Sequence, residues 1–291
     1  RTASFGSRSP PGDGILGQTR FGNTAQLHQV HDPGERREQL TFFEEPTGGM
    51  FLPEADDGDL LVVMSAGGNE NYQISLFDRA SGTATLLTDG ESRNRLGPVR
   101  DDGSQMIVHS NRRNGRDTDL YVAECRTPDS MQMIFETDGE YWVASDWSPD
   151  GKRLLLLRYV SINESYPALF DIDAGQLTPL PIPGHGPVTE GIKVSFGSLA
   201  FTPDGKHAYV TTDARGEFRE LARLDLATGD YQWLTEDIPW DVSSVEVDRA
   251  SGRVAFTVNA DGANYLYLLE DGERRQLEVP CSRGRSAASY R

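Results

Sequence analysis

The sequence predicts an all-β protein, a β-propeller of about six recognisable four-stranded blades, read as an incomplete seven- or eight-bladed ring. Three observations predict it. Turn signals recur in pairs at one spacing, the runs between them alternate apolar with polar residues, and no helical stripe interrupts them. A period in the middle forties with four short strands per copy is the signature of a propeller blade. A β-sandwich with regular hairpins is the competing architecture.

The stretch 201–237, "FTPDGKHAYVTTDARGEFRELARLDLATGDYQWLTED", defines the unit. Thr202-Pro203-Asp204-Gly205 is one turn, because proline presets its first position and glycine supplies positive φ. "KHAYVTT" and "ELARLDL" alternate as strands before Ala227-Thr228-Gly229-Asp230 turns the chain again, 24 residues after Gly205. The same pair recurs as Gly58 with Gly82 and as Gly151 with Gly175. Gly103 is followed by a turn on Pro128, Gly252 by Gly272, and a degenerate opening copy carries Gly12 and Gly34. First-turn glycines therefore fall at 12, 58, 103, 151, 205 and 252, giving blade repeats near 1–41, 42–90, 91–137, 138–184, 185–237 and 238–280. A single blade cannot bury both faces, so the copies must stack.

Composition excludes more than it selects. The formal net charge of -17 over 291 residues argues against nucleic acid, whose phosphates it would repel. No apolar run approaches the roughly 20 residues of a membrane helix, so no membrane partner is expected. Two cysteines, Cys125 and Cys281, make no disulfide framework and favour a cytoplasmic location. No export signal is visible at the N-terminus, although the missing initiator methionine leaves a removed leader open.

"EQLTFFEEP", "GGNENYQISLFD", "HSNRRNGRDTDLYV", "DWSPDGKRLLLLRYVSINESY" and "LAFTPDGKHAYVTTD" together resemble the propeller of the prolyl oligopeptidase family of serine peptidases, in its acylaminoacyl-peptidase and dipeptidyl-aminopeptidase branch. The resemblance spans about residues 9–280; "SPDG" alone is shared with Tol-type propellers. It implies a peptide substrate passing through the propeller cavity and an α/β-hydrolase domain, normally on the same chain, that carries the Ser-Asp-His triad. That triad is not expected here. A nucleophile elbow needs Gly-x-Ser-x-Gly, which does not occur in the sequence, so the chain alone is expected to be inactive. The two functions in contention are a non-catalytic, substrate-gating propeller of such a peptidase and an autonomous Tol-type propeller that binds a protein or small ligand. A sialidase-like site in the propeller lacks its Ser-x-Asp-x-Gly-x-x-Trp box.

Candidate substrate-binding residues are Glu44 and Glu45 of "FFEEP", Glu70, Arg112, Arg113 and Glu164, all in loops assigned to one rim. The dipeptidyl-peptidase likeness implies that a glutamate pair could hold a free α-amine, since two shielded carboxylates favour an ammonium; a solvated acidic loop is the alternative. Arg112 and Arg113 could grip a carboxylate or a docked domain, or simply form an exposed basic turn. No metal and no cofactor is expected: His28 and His31 sit at odd strand spacing and face opposite ways, and no ligand set recurs between blades. Asn163-Glu164-Ser165 matches a glycosylation sequon of the sort that arises by chance. The final 11 residues, "CSRGRSAASYR", hold three arginines and no acid and lose the blade register. They are expected to be a non-propeller tail, either a natural solvated end or an out-of-frame extension that leaves the ring without its closing blade.

Overall fold

The computed structural model describes residues 3–278, apart from 10, 11, 13, 33, 35, 56 and 57. The tail at 281–291, with Cys281, lies outside the described residues. The protein is all-β, with six four-stranded blades of a β-propeller, and its one helical element among the described residues is the three-residue 3-10 turn Ala66–Gly68. The chain divides into two compact units at Gly139/Glu140, each with three blades.

In the first unit, blade one is β1 (Ala3–Arg8), β2 (Ile15–Thr19), β3 (Gln26–Val30) and β4 (Glu38–Gln39). Blade two is β5 (Gly48–Phe51), β6 (Leu60–Met64), β7 (Gln73–Asp78) and β8 (Thr83–Leu86). Blade three is β9 (Asn94–Val99), β10 (Gln105–Ser110), β11 (Asp119–Glu124) and β12 (Gln132–Phe135). In the second unit, blade four is β13 (Trp142–Trp147), β14 (Arg153–Ser161), β15 (Glu164–Asp171) and β16 (Gln176–Pro179). Blade five is β17 (Phe196–Phe201), β18 (His207–Thr212), β19 (Glu220–Asp225) and β20 (Tyr231–Trp233); blade six is β21 (Asp241–Val247), β22 (Val254–Ala260), β23 (Ala263–Glu270) and β24 (Glu273–Leu277).

Every blade is a meander in chain order, and all pairings are antiparallel. Each blade therefore has two ends. The first-to-second and third-to-fourth turns share one, the turn end. The second-to-third turn and the link to the next blade share the other, the connecting end. All six first-turn glycines adopt positive φ, between 65° and 78°, the conformation their turns demand. In the turn after Pro128, Asp129 takes that role with φ 56°.

Cores form between blades, as stacking requires. Leu16, Leu27, Phe51, Leu60, Val62 and Phe77 pack between blades one and two, and Leu61, Ile74, Met106, Val108 and Tyr121 between two and three. In the second unit, Leu155, Tyr166, Phe196, Phe201 and Val210 join blades four and five, and Tyr209, Leu221, Val242 and Phe256 join five and six. Asp146 on β13 ties all three of that unit's blades: its carboxylate accepts from Phe201 N–H (2.7 Å) and from Arg249 Nη2 (2.7 Å).

Candidate functional site

The connecting ends carry every candidate residue, and a repeated device holds them. The residue opening the third strand turns its side chain back onto the link that follows the fourth. In blade one Gln26, only 4% exposed, accepts Phe43 N–H (3.0 Å) and donates to the carbonyls of Phe43 (2.9 Å) and Glu45 (3.0 Å). Gln73 does the same for Gly90 N–H (2.9 Å) in blade two, and Asp119 for Thr137 N–H (3.0 Å) in blade three. A threonine completes the lock. Thr41, Thr88 and Thr235 each accept the backbone N–H of the third strand's second residue, Leu27, Ile74 and Leu221, at 2.9 to 3.1 Å. Sequence reading missed these pins, though a signal existed: a Leu-Thr pair follows the opening Gln or Glu by 14 and 15 residues in three blades.

The two glutamates of "FFEEP" part company. Glu45 Oε1 accepts Gly67 N–H at 2.8 Å, so this carboxylate braces the neighbouring second-to-third turn. Glu44 is exposed, bonds to no described residue, and lines a groove of about 470 Å³ with Phe21, His28, Gln39, Phe42 and Phe43. Phe42 is 78% exposed. Beneath them His28 is buried; its Nδ1 faces the Gln26 carbonyl at 2.9 Å and its Nε2 has no partner. Glu70 is exposed in a left-handed conformation (φ 61°) on the turn that Glu45 braces.

Arg112 and Arg113, adjacent in sequence, also separate. Arg113 is committed to Asp119 through Nε (2.6 Å) and Nη2 (3.2 Å), and to Glu136 at 2.9 Å. Asp119 is fully buried; burial opposes its ionisation, but Arg113 and Thr137 N–H hold its carboxyl below the usual range. The same pairing raises the Arg113 pKa. Arg116 and Asn114 hold Asp117 at about 2. Arg112 stays outside this network, 4.0 Å from Asp89 and with its guanidinium 5.8 Å from the Tyr121 ring.

In the second unit, Glu164 is buried and saturated: Lys193 Nζ lies at 2.6 Å and the Tyr166 hydroxyl donates to it at 2.7 Å, which together hold its carboxyl low. Ile192 N–H donates to Tyr166 Oη at 3.1 Å, and Arg158, stacked on the Tyr166 ring at 4.8 Å, donates to the Thr189 carbonyl. Glu164 thus anchors the long link between blades four and five.

No protein-family model matches the chain, and no curated protein matches it. Solved structures do resemble it in fold. A puromycin-hydrolyzing peptidase of Mycobacterium tuberculosis aligns at TM-score 0.72 and 15% identity over 96% of this chain and 47% of its own. A structure from a study of two prolyl endopeptidases aligns at 0.70 and 13% identity over 96% of this chain and 43% of its own. The putative TolB of Agrobacterium tumefaciens aligns at 0.58 and 15% identity over 83% of both chains. The chain spans less than half the length of the two peptidase chains. These likenesses establish a propeller of the type shared by such peptidases and TolB.

Proposed function

We propose that this chain is the non-catalytic, substrate-gating β-propeller of a prolyl-oligopeptidase-type serine peptidase, working with an α/β-hydrolase domain that docks on the connecting ends of its blades. The observation that carries the reading is where the exposed large apolar side chains lie. Of the exposed large apolar side chains among the described residues, Phe21, Phe42 and Tyr72 in the first unit and Tyr141, Tyr159, Val160, Ile162 and Trp240 in the second lie at connecting ends, while Leu86, Met133 and Tyr265 lie on β8, β12 and β23. These eight stand away from the turn ends. Within each unit, apolar groups exposed at the connecting ends among polar neighbours are what a docked domain would cover. The phrase-level resemblance, the likeness to peptidases of about twice the length and the missing Gly-x-Ser-x-Gly in this sequence point the same way.

The likeness to TolB over 83% of both chains supports a second reading, an autonomous ligand-binding propeller. One experiment separates them. The purified chain should neither hydrolyse aminoacyl chromogenic substrates nor label with a fluorophosphonate. Cross-linked in native extract, it should retain a protein that does label, and Phe42→Arg with Ile162→Arg should abolish the retention. Retained proteins that never label would favour the autonomous propeller.

A further inference from the structure

We propose that the groove on blade one binds a phenol, whose hydroxyl donates to His28 Nε2 while its ring lies against Phe21 and Phe42. The site needs no catalytic partner and so stands apart from the peptidase reading. Strand register builds its floor. Thr19 on β2 is opposite Gln26 on β3, and His28 on β3 is opposite Gln39 on β4. Opposed residues and residues two apart share a face of the sheet, so these four side chains point the same way, and all four line the groove of about 470 Å³. The other face, with Leu16 and Leu27, packs toward blade two.

Three of the four are engaged. Thr19 Oγ1 accepts from Arg37 Nη1 (3.0 Å), Gln26 holds the link, and Gln39 Nε2 donates to the Thr41 carbonyl (2.8 Å). His28, only 2% exposed, keeps one atom in reserve. A carbonyl can only accept, so the 2.9 Å contact with the Gln26 carbonyl puts the proton of the neutral ring on Nδ1 and leaves a lone pair on Nε2, which has no partner among the described residues. A buried acceptor without a donor is destabilising, and a ligand that brings the donor recovers that loss. The walls choose the rest of the ligand. The Phe21 ring stands nearly perpendicular to the imidazole, with centroids 5.2 Å apart, and is 51% exposed, so it can turn aside for a ring of its own size; Phe42, 78% exposed, offers a second aromatic surface. A phenol combines a flat apolar body with one strong neutral donor at its tip. An ammonium also donates, but the Arg37 guanidinium already lies over the Phe21 ring at 5.8 Å, and Glu44 is exposed at the rim, where water screens it.

The test is a titration of the ¹⁵N-labelled protein at about pH 8, where an ordinary imidazole is neutral, with p-cresol, N-acetyltyrosinamide, N-acetylphenylalaninamide and phenethylamine. Both phenols should saturate backbone shifts at 19–28 and 39–44 and move the His28 Nε2 resonance, with N-acetylphenylalaninamide about tenfold weaker and without effect on Nε2. The tighter of the two phenols tells a tyrosyl side chain from a free phenol. Phe42→Ala should weaken binding about fivefold, and Trp240→Ala, an exposed aromatic of the second unit, should change it less than about twofold. His28→Phe should erase the preference for the hydroxyl; should that variant not fold, the Nε2 signal of the parent protein and Phe42→Ala, made at an exposed side chain, still decide. Failure of the phenols to saturate, equal binding of N-acetylphenylalaninamide, or an unmoved Nε2 resonance would overturn the site. Phenethylamine binding more tightly than p-cresol would overturn the phenol assignment.

Discussion

Gln26→Leu should release the "FFEEP" link while leaving the blade intact. Gln26 makes four hydrogen bonds: to Phe43 N–H, the Phe43 and Glu45 carbonyls, and Thr24 Oγ1 at 3.0 Å. Leucine fills a similar volume and makes none. Each bond is worth about 0.5–1.5 kcal/mol net, and a backbone group left buried without a partner costs about 1–3 kcal/mol. Water reaches the partly exposed link and recovers some of this, so the expected loss is about 2–4 kcal/mol. Urea unfolding measures the total, and amide hydrogen exchange localises it. Protection should fall at 41–47 and hold at 87–93, where Gln73 pins the equivalent link. A change under about 0.5 kcal/mol, or equal loss of protection at both links, would refute the claim that this glutamine positions Glu44 and Glu45.

Acidification provides a second check. Burial, aided by nearby Arg95, depresses the pKa of His109 to about 4. Between its unfolded value near 6.5 and 4, the unfolded chain binds a proton that the folded chain does not, so stability falls as pH falls through that window, by up to about 3 kcal/mol. Urea midpoints at pH 7, 5.5 and 4 should show the loss, and His109→Gln should flatten it; an unchanged slope would assign the loss elsewhere. Gly103→Ala should cost about 2–4 kcal/mol, because φ is +66° and the new Cβ would lie 2.2 Å from the Pro53 carbonyl oxygen. Gly82→Ala, with similar φ and open space, should cost only about 1 kcal/mol by the same assay. Cys125 is fully buried and burial raises its thiol to about 12, so it should resist a thiol reagent in the native protein and react once unfolded. Native labelling of Cys125 would contradict that burial.

The sequence by itself determined the fold class. Turn glycines at a period in the forties and the alternation between them are properties of φ/ψ and of successive side chains, both local to the chain, and they are enough to specify four-stranded blades. The sequence also pointed to the loops that now stand at the connecting ends. Only the tertiary structure decided which of their charged residues is available to a ligand. Glu44 and Glu45 look alike in "FFEEP", yet Glu45 is committed to Gly67, 22 residues on. Arg112 and Arg113 look alike in "SNRRNG", yet Arg113 is drawn to buried Asp119 while Arg112 stays out. A side chain's availability depends on partners brought to it by strand register and blade stacking, which no local pattern encodes.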